Sequence, residues 1–102
     1  MQIDAYGYPT DESELLWRIA KAQTTQRHRD PYAELYDPIE NNPRIRPIIR
    51  EVERRAKKES LVRGPGRRHD IWARMEQILK NEHGITWYPP SIMNADSIRY
   101  TP

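Results

Sequence analysis

Nine prolines punctuate this 102-residue chain and constrain its fold more than any other feature. Proline has no amide hydrogen to donate and disfavours helix in the residue before it, so the sequence divides into short helical windows. Each window must find its own start and stop signals.

The first window follows Pro9. Thr10 or Asp11 can cap it, and Asp11 with Glu14 has capping-box spacing, which predicts a helix over residues 12–24 with Leu15, Ile19 and Ala22 on one face and Leu16 beside them. Trp17 falls on the opposite side. Two Asp-Pro steps, Asp30-Pro31 and Asp37-Pro38, suit turns or helix starts, and residues 31–36 have room for a helical turn or two. The strongest periodicity is Ile45, Ile49, Val52 and Ala56 with Ile48 alongside, predicting a helix over 46–59 in which Pro47 takes an early helical position or kinks the chain. Gly64-Pro65-Gly66 then interrupts the pattern. Asp70 is the expected cap of a helix over 71–83, whose apolar face is Ile71, Met75, Ile78 and Leu79. Gly84 has the position of a left-handed C-terminal residue, with Ile85 supplying the hydrophobic contact that accompanies it. A short echo, Arg27 to Ala33 against Arg67 to Ala73, reads as two similarly built helix entrances.

These windows define an all-α fold, a small bundle of about three helices in a single domain spanning 1–102, with extended proline-rich arms at 1–10 and 86–102. Hydrophobic residues make up only 36% of the chain and charged residues 31%, so the core is expected to be thin. Ile49, Val52, Ile71, Met75 and Ile78 are its expected centre. The C-terminal arm shows no lasting helical or alternating pattern and has room for no more than a short strand, while Trp87, Tyr88, Ile92, Ile98 and Tyr100 make it adhesive.

The chain contains no cysteine, which excludes disulfides, thiolate metal sites and cysteine nucleophiles. Residues 1–8 lack the basic start and apolar run of a secretory signal, and no apolar stretch has bilayer-spanning length. The expectation is a soluble, cytoplasmic protein with no cofactor, no metal and no membrane partner.

Charge is distributed unevenly. Residues 44–68 carry ten basic against three acidic groups, net +7, whereas residues 1–43 are net −4 and residues 69–102 net −1. On the 46–59 helix, Arg46, Arg50, Arg54 and Lys57 recur on one side, away from the Ile/Val stripe, and Arg63, Arg67 and Arg68 continue the positive charge through the loop. Guanidinium rows of this kind bind phosphate oxygens or other anionic surfaces. The alternative is a solvated face paired with the acidic N-terminal region. No zinc-finger, RNA-recognition or Walker spacing is present, and the link between the two strong helices is long for a helix-turn-helix.

The leading reading is therefore a non-enzymatic protein that binds nucleic acid or an acidic protein partner through residues 44–68. A second reading is a structural subunit that docks through its arms into a larger assembly or homo-oligomer, with Trp17, Trp87 and Tyr88 as partner-binding aromatics. A third is a small metal-free RNA-cleaving toxin using His69, with His28, His83, Asp30, Asp70 and Glu82 as further acid–base candidates. A compact basic helix pair with proline-jointed arms and no catalytic signature resembles small accessory proteins of phages and mobile elements.

Overall fold

The helix α2, Arg46–Glu59, has the bounds its periodicity predicts, and Pro47 lies in its first turn, where a missing amide hydrogen is harmless. Its buried stripe of Ile49, Val52 and Ala56 packs against α3, Arg67–His83, through Ile71, Met75, Ile78 and Leu79. The five expected core residues all belong to this cluster. In this computed structural model, residues 2–95 are described; the expectations for Ile98 and Tyr100 fall outside them.

Chain order is α1 (Glu12–Gln26), a 3-10 turn (Pro38–Asn41), α2, α3 and a single helical turn α4 (Pro90–Met93). No strand occurs among the described residues, only one antiparallel bridge between Ile3 and Pro9. The all-α class holds.

Helix α3 begins four residues before the 71–83 expectation predicts. Gly66, left-handed at φ 94°, turns the chain so that its carbonyl accepts the Asp70 amide, and the helix is under way by Arg67. Asp70 is thus not the cap. Its carboxylate, inside the first turn, instead accepts from Ser60 Oγ at 2.6 Å and from Arg74 Nε at 3.0 Å, tying the loop to the helix. The other end follows expectation: Gly84 is left-handed, and the Ile85 amide reaches back to the Leu79 carbonyl with Ile85 buried. The echoed stretch 27–33 forms no helix. Asp30 instead closes a turn by accepting from the Tyr32 amide, and the short helical turn comes later, capped by Asp37.

Helix α1 presents an unexpected inner face. Asp11 caps it as predicted, but Glu14, Arg18 and Ala22 are its buried residues, whereas Leu15 and Ile19 are half-buried and Leu16 is exposed. Arg18 is fully buried because several groups converge on it. Its Nε donates to Glu14 Oε1 at 2.9 Å, and its Nη1 donates to Asp37 Oδ2 at 2.9 Å and to the Thr86 carbonyl at 2.8 Å. The Tyr8 and Tyr88 rings lie 5.1 and 5.2 Å from the guanidinium carbon, close enough for cation–π attraction. Nη2, buried without a hydrogen-bond partner among the described residues, depends on those faces. Burial opposes the Arg18 charge, yet the two carboxylates outweigh it and raise its affinity for the proton. Asp37 also caps the 3-10 turn through the Ile39 amide and accepts from the Tyr88 amide.

The two terminal segments fold onto the helices over the described residues. Asp4 accepts from the amides of Tyr6, Tyr8 and Thr86, and the Ala5 amide donates to the Gly84 carbonyl at 2.8 Å. In the C-terminal segment Met93 is buried, and Asn94 exchanges hydrogen bonds with the Leu35 backbone in both directions. The helical turn α4 is a departure from the patternless reading of this segment. Pro90 at its start supplies the preset φ that so short a helix needs.

Candidate nucleic-acid interface

The i, i+4 spacing of Arg46, Arg50 and Arg54, with Lys57 one turn further, sets all four on the exposed side of α2. Each is exposed, while the opposite stripe is sealed against α3. Arg46 is anchored, its Nε donating to the Glu40 carbonyl at 3.2 Å and its Nη2 to Asn41 Oδ1 at 3.3 Å. Arg50 makes no ion pair or hydrogen bond among the described residues. Arg54 pairs with Glu51 one turn earlier, and Lys57 stands 3.9 Å from Glu53. Both pairs are solvent-exposed and screened by water, so they yield readily to a better anion.

Arg55 has a different task. It bridges Glu59 of its own helix and Glu82 of α3 at 3.0 and 2.8 Å, on the flank that joins the helices. Arg63 in the loop and Arg67 and Arg68 in the first turn of α3 extend the positive surface from the far end of α2. Arg63 is exposed, Arg67 donates to the Lys57 carbonyl at 3.0 Å and so closes the loop on the helix, and Arg68 lies 5.1 Å from the Trp72 ring. The ion pairs of Arg54, Arg55 and Lys57 stay within α2 or reach α3; none goes to the acidic N-terminal region.

At the start of α2 the row borders an open groove lined by Tyr36, Glu40, Asn41, Arg46, Ile49 and Arg50. Burial pushes the Glu40 carboxyl above its ordinary range, against the hydrogen bond from the Trp87 indole at 2.9 Å and with help from the negative charges of Asp37 and Glu53. Tyr36, Glu40 and Asn41 were not among the residues singled out from sequence. Their segment has no periodicity, and only the packing of the 3-10 turn on α2 brings them to the row.

The three aromatics expected at a partner surface separate. Trp17 is 55% exposed on the outer side of α1, with Lys21 Nζ 5.0 Å from its ring. Trp87, expected at a partner surface, is 3% exposed and packs in the core, where its indole N–H donates to the Glu40 carboxylate. Tyr88 is half-buried over Arg18 and serves the fold.

The histidines do not converge. His69 and His83 stand near opposite ends of α3, about 20 Å apart at 1.5 Å per residue, and His28 lies in the turn after α1. His69 packs edge-on to Trp72 at 5.3 Å, while the neighbouring Asp70 is engaged by Ser60 and Arg74. Among the described residues no group of three or more His, Asp or Glu side chains is arranged to hold a metal ion, and no helix is long and apolar enough to cross a membrane. No protein-family model, curated protein or solved structure matches the chain, so its own geometry carries the functional reading.

Proposed function

We propose that this protein binds nucleic acid through the exposed face of α2 and the adjoining loop, with Arg46, Arg50, Arg54, Lys57, Arg63, Arg67 and Arg68 meeting phosphates. One observation carries the reading: four cations stand in a row on an exposed helix face, with Arg50 unengaged and Arg54 and Lys57 held only by exposed carboxylates one turn away. A merely solvated face would be expected to neutralise itself against the acidic N-terminal region, and the ion pairs of this helix do not go there. Docking of the arms into an assembly has less support, since residues 2–10 and 86–95 are already committed to their own helices.

The test is Arg50→Glu/Arg54→Glu. Both side chains are exposed, so the double variant should melt like the parent, surface changes of this kind altering stability by about 0.5 kcal/mol or less. Its binding to labelled oligonucleotides should be lost. Unchanged binding rejects the proposal, and capture of an acidic protein that survives nuclease treatment, with no oligonucleotide bound, would assign the face to a protein instead.

A further inference from the structure

The groove at the head of the cation row has two unlike walls. On one side the backbone of Tyr36 is fixed, its amide donating to Gln26 Oε1 and its carbonyl accepting from Gln26 Nε2, each at 2.8 Å, and its hydroxyl donates to Asn41 Oδ1 at 3.3 Å. The residue remains 38% exposed. On the other side stand Arg46, held against the Glu40 carbonyl and Asn41, and the unengaged Arg50. Glu40, the one acidic side chain in the lining, is anchored to the core by the Trp87 indole.

A partly exposed aromatic ring beside guanidinium groups suits one form of nucleic acid better than the other. In a duplex the base faces are occupied by their stacking neighbours, and only phosphates and groove edges are presented. A single strand can turn a base onto an aromatic ring while its phosphates follow the cations. We infer that the groove is a single-strand site, in which an unpaired base stacks on Tyr36, its flanking phosphates lie against Arg46 and Arg50, and the strand continues past Arg54 and Lys57. This inference rests on the nucleic-acid reading above and specifies the strand state of the ligand. Stacking tolerates any base, so little sequence preference is expected.

The experiment measures fluorescence anisotropy of the full chain with mixed-sequence 12-nucleotide single strands, RNA and DNA, and with the matching duplexes. Wild type, Tyr36→Ala, Tyr36→Phe and Arg50→Glu/Arg54→Glu are compared after their folds are checked by circular dichroism. Single strands should bind more tightly than duplexes. Tyr36→Ala should weaken single-strand binding about tenfold, the loss of one stacked base, without changing the salt slope, while Tyr36→Phe retains the ring and the affinity. Because the Tyr36 hydroxyl reaches only the exposed Asn41, Tyr36→Phe should keep the parent melting temperature, and Tyr36→Ala, which removes a partly covered ring, is compared at a temperature where circular dichroism shows it folded. Salt-dependent binding that is lost in the double arginine variant but indifferent to Tyr36→Ala, or equal for duplex and single strand, overturns the inference and leaves the nucleic-acid reading standing. Binding unaffected by the double arginine variant, or equalled by polyglutamate at the same salt, overturns both.

Discussion

Replacing Arg18 with methionine tests how the fold is held together. The substitution keeps a long apolar stem but removes the charge and the hydrogen bonds to Glu14, Asp37 and the Thr86 carbonyl. The side chains of Arg18 and Asp37 are both 0% exposed, so the Asp37 carboxylate is left charged and shut away from water. Removing one partner of a buried ion pair costs about 3–5 kcal/mol. Asp37 keeps two amide donors, from Ile39 and Tyr88, which places Arg18→Met near the lower limit, about 3 kcal/mol. A domain of this size has about 5–15 kcal/mol of stability in all, so the variant should lose a large fraction of it. A fall in Tm of roughly 12–24 °C follows from about 4–8 °C per kcal/mol. Urea denaturation at 25 °C and pH 7, followed by circular dichroism, measures the change. Asp37→Asn keeps one acceptor oxygen, so only one of the Ile39 and Tyr88 amides retains its partner, but it carries no stranded charge. Arg18→Met/Asp37→Asn should therefore be less destabilised than the two single losses added together, by about 1 kcal/mol or more. A loss below about 1 kcal/mol for Arg18→Met, or strict additivity, would refute the view that this cluster joins α1, the 3-10 turn and the two terminal segments.

Gly84→Ala should be destabilising by more than about 1 kcal/mol, since the position is left-handed at φ 63° and a Cβ there would lie 2.6 Å from Ala5 Cβ; a thermal melt unchanged from the parent would contradict the close approach. For Glu40 the sign is set by its raised carboxyl: the folded state holds the proton more tightly than the unfolded chain, so ionisation removes stability as pH rises above the ordinary range. Glu40→Gln should therefore gain on wild type in urea denaturation series taken from about pH 4 to pH 7, and a difference moving the other way would contradict that burial.

The parts of this molecule that the sequence discloses are those governed by neighbours within one helical turn. The Ile45-to-Ala56 stripe, the Asp11 cap and the Gly84 ending all act over a few residues, and all lie where periodicity and capping place them. Arg18 shows where local reading fails. Between Trp17 and Ile19 it carries no local signal of burial, and only Asp37, 19 residues away, and the Thr86 carbonyl, 68 residues away, draw it inward. Trp87 is concealed in the same manner by Glu40, 47 residues distant. The start of α3 was misplaced because a positive φ at Gly66 does the work assigned to Asp70. In the candidate interface the cation row was legible from its i, i+4 spacing. The facing wall of Tyr36, Glu40 and Asn41 was not, because it comes from a segment whose only local signal is Asp37-Pro38.

The most direct test of the central claim is the salt dependence of oligonucleotide binding by the intact protein. Each phosphate neutralised on a single strand contributes a slope of about −0.7 in log K against log salt, so four to seven contacts from the row and loop predict a slope of about −3 to −5. Arg50→Glu/Arg54→Glu should abolish that binding. A slope in that range, lost with these two arginines, is the result the account predicts; no binding at low salt, or binding whose affinity is indifferent to salt, would contradict it.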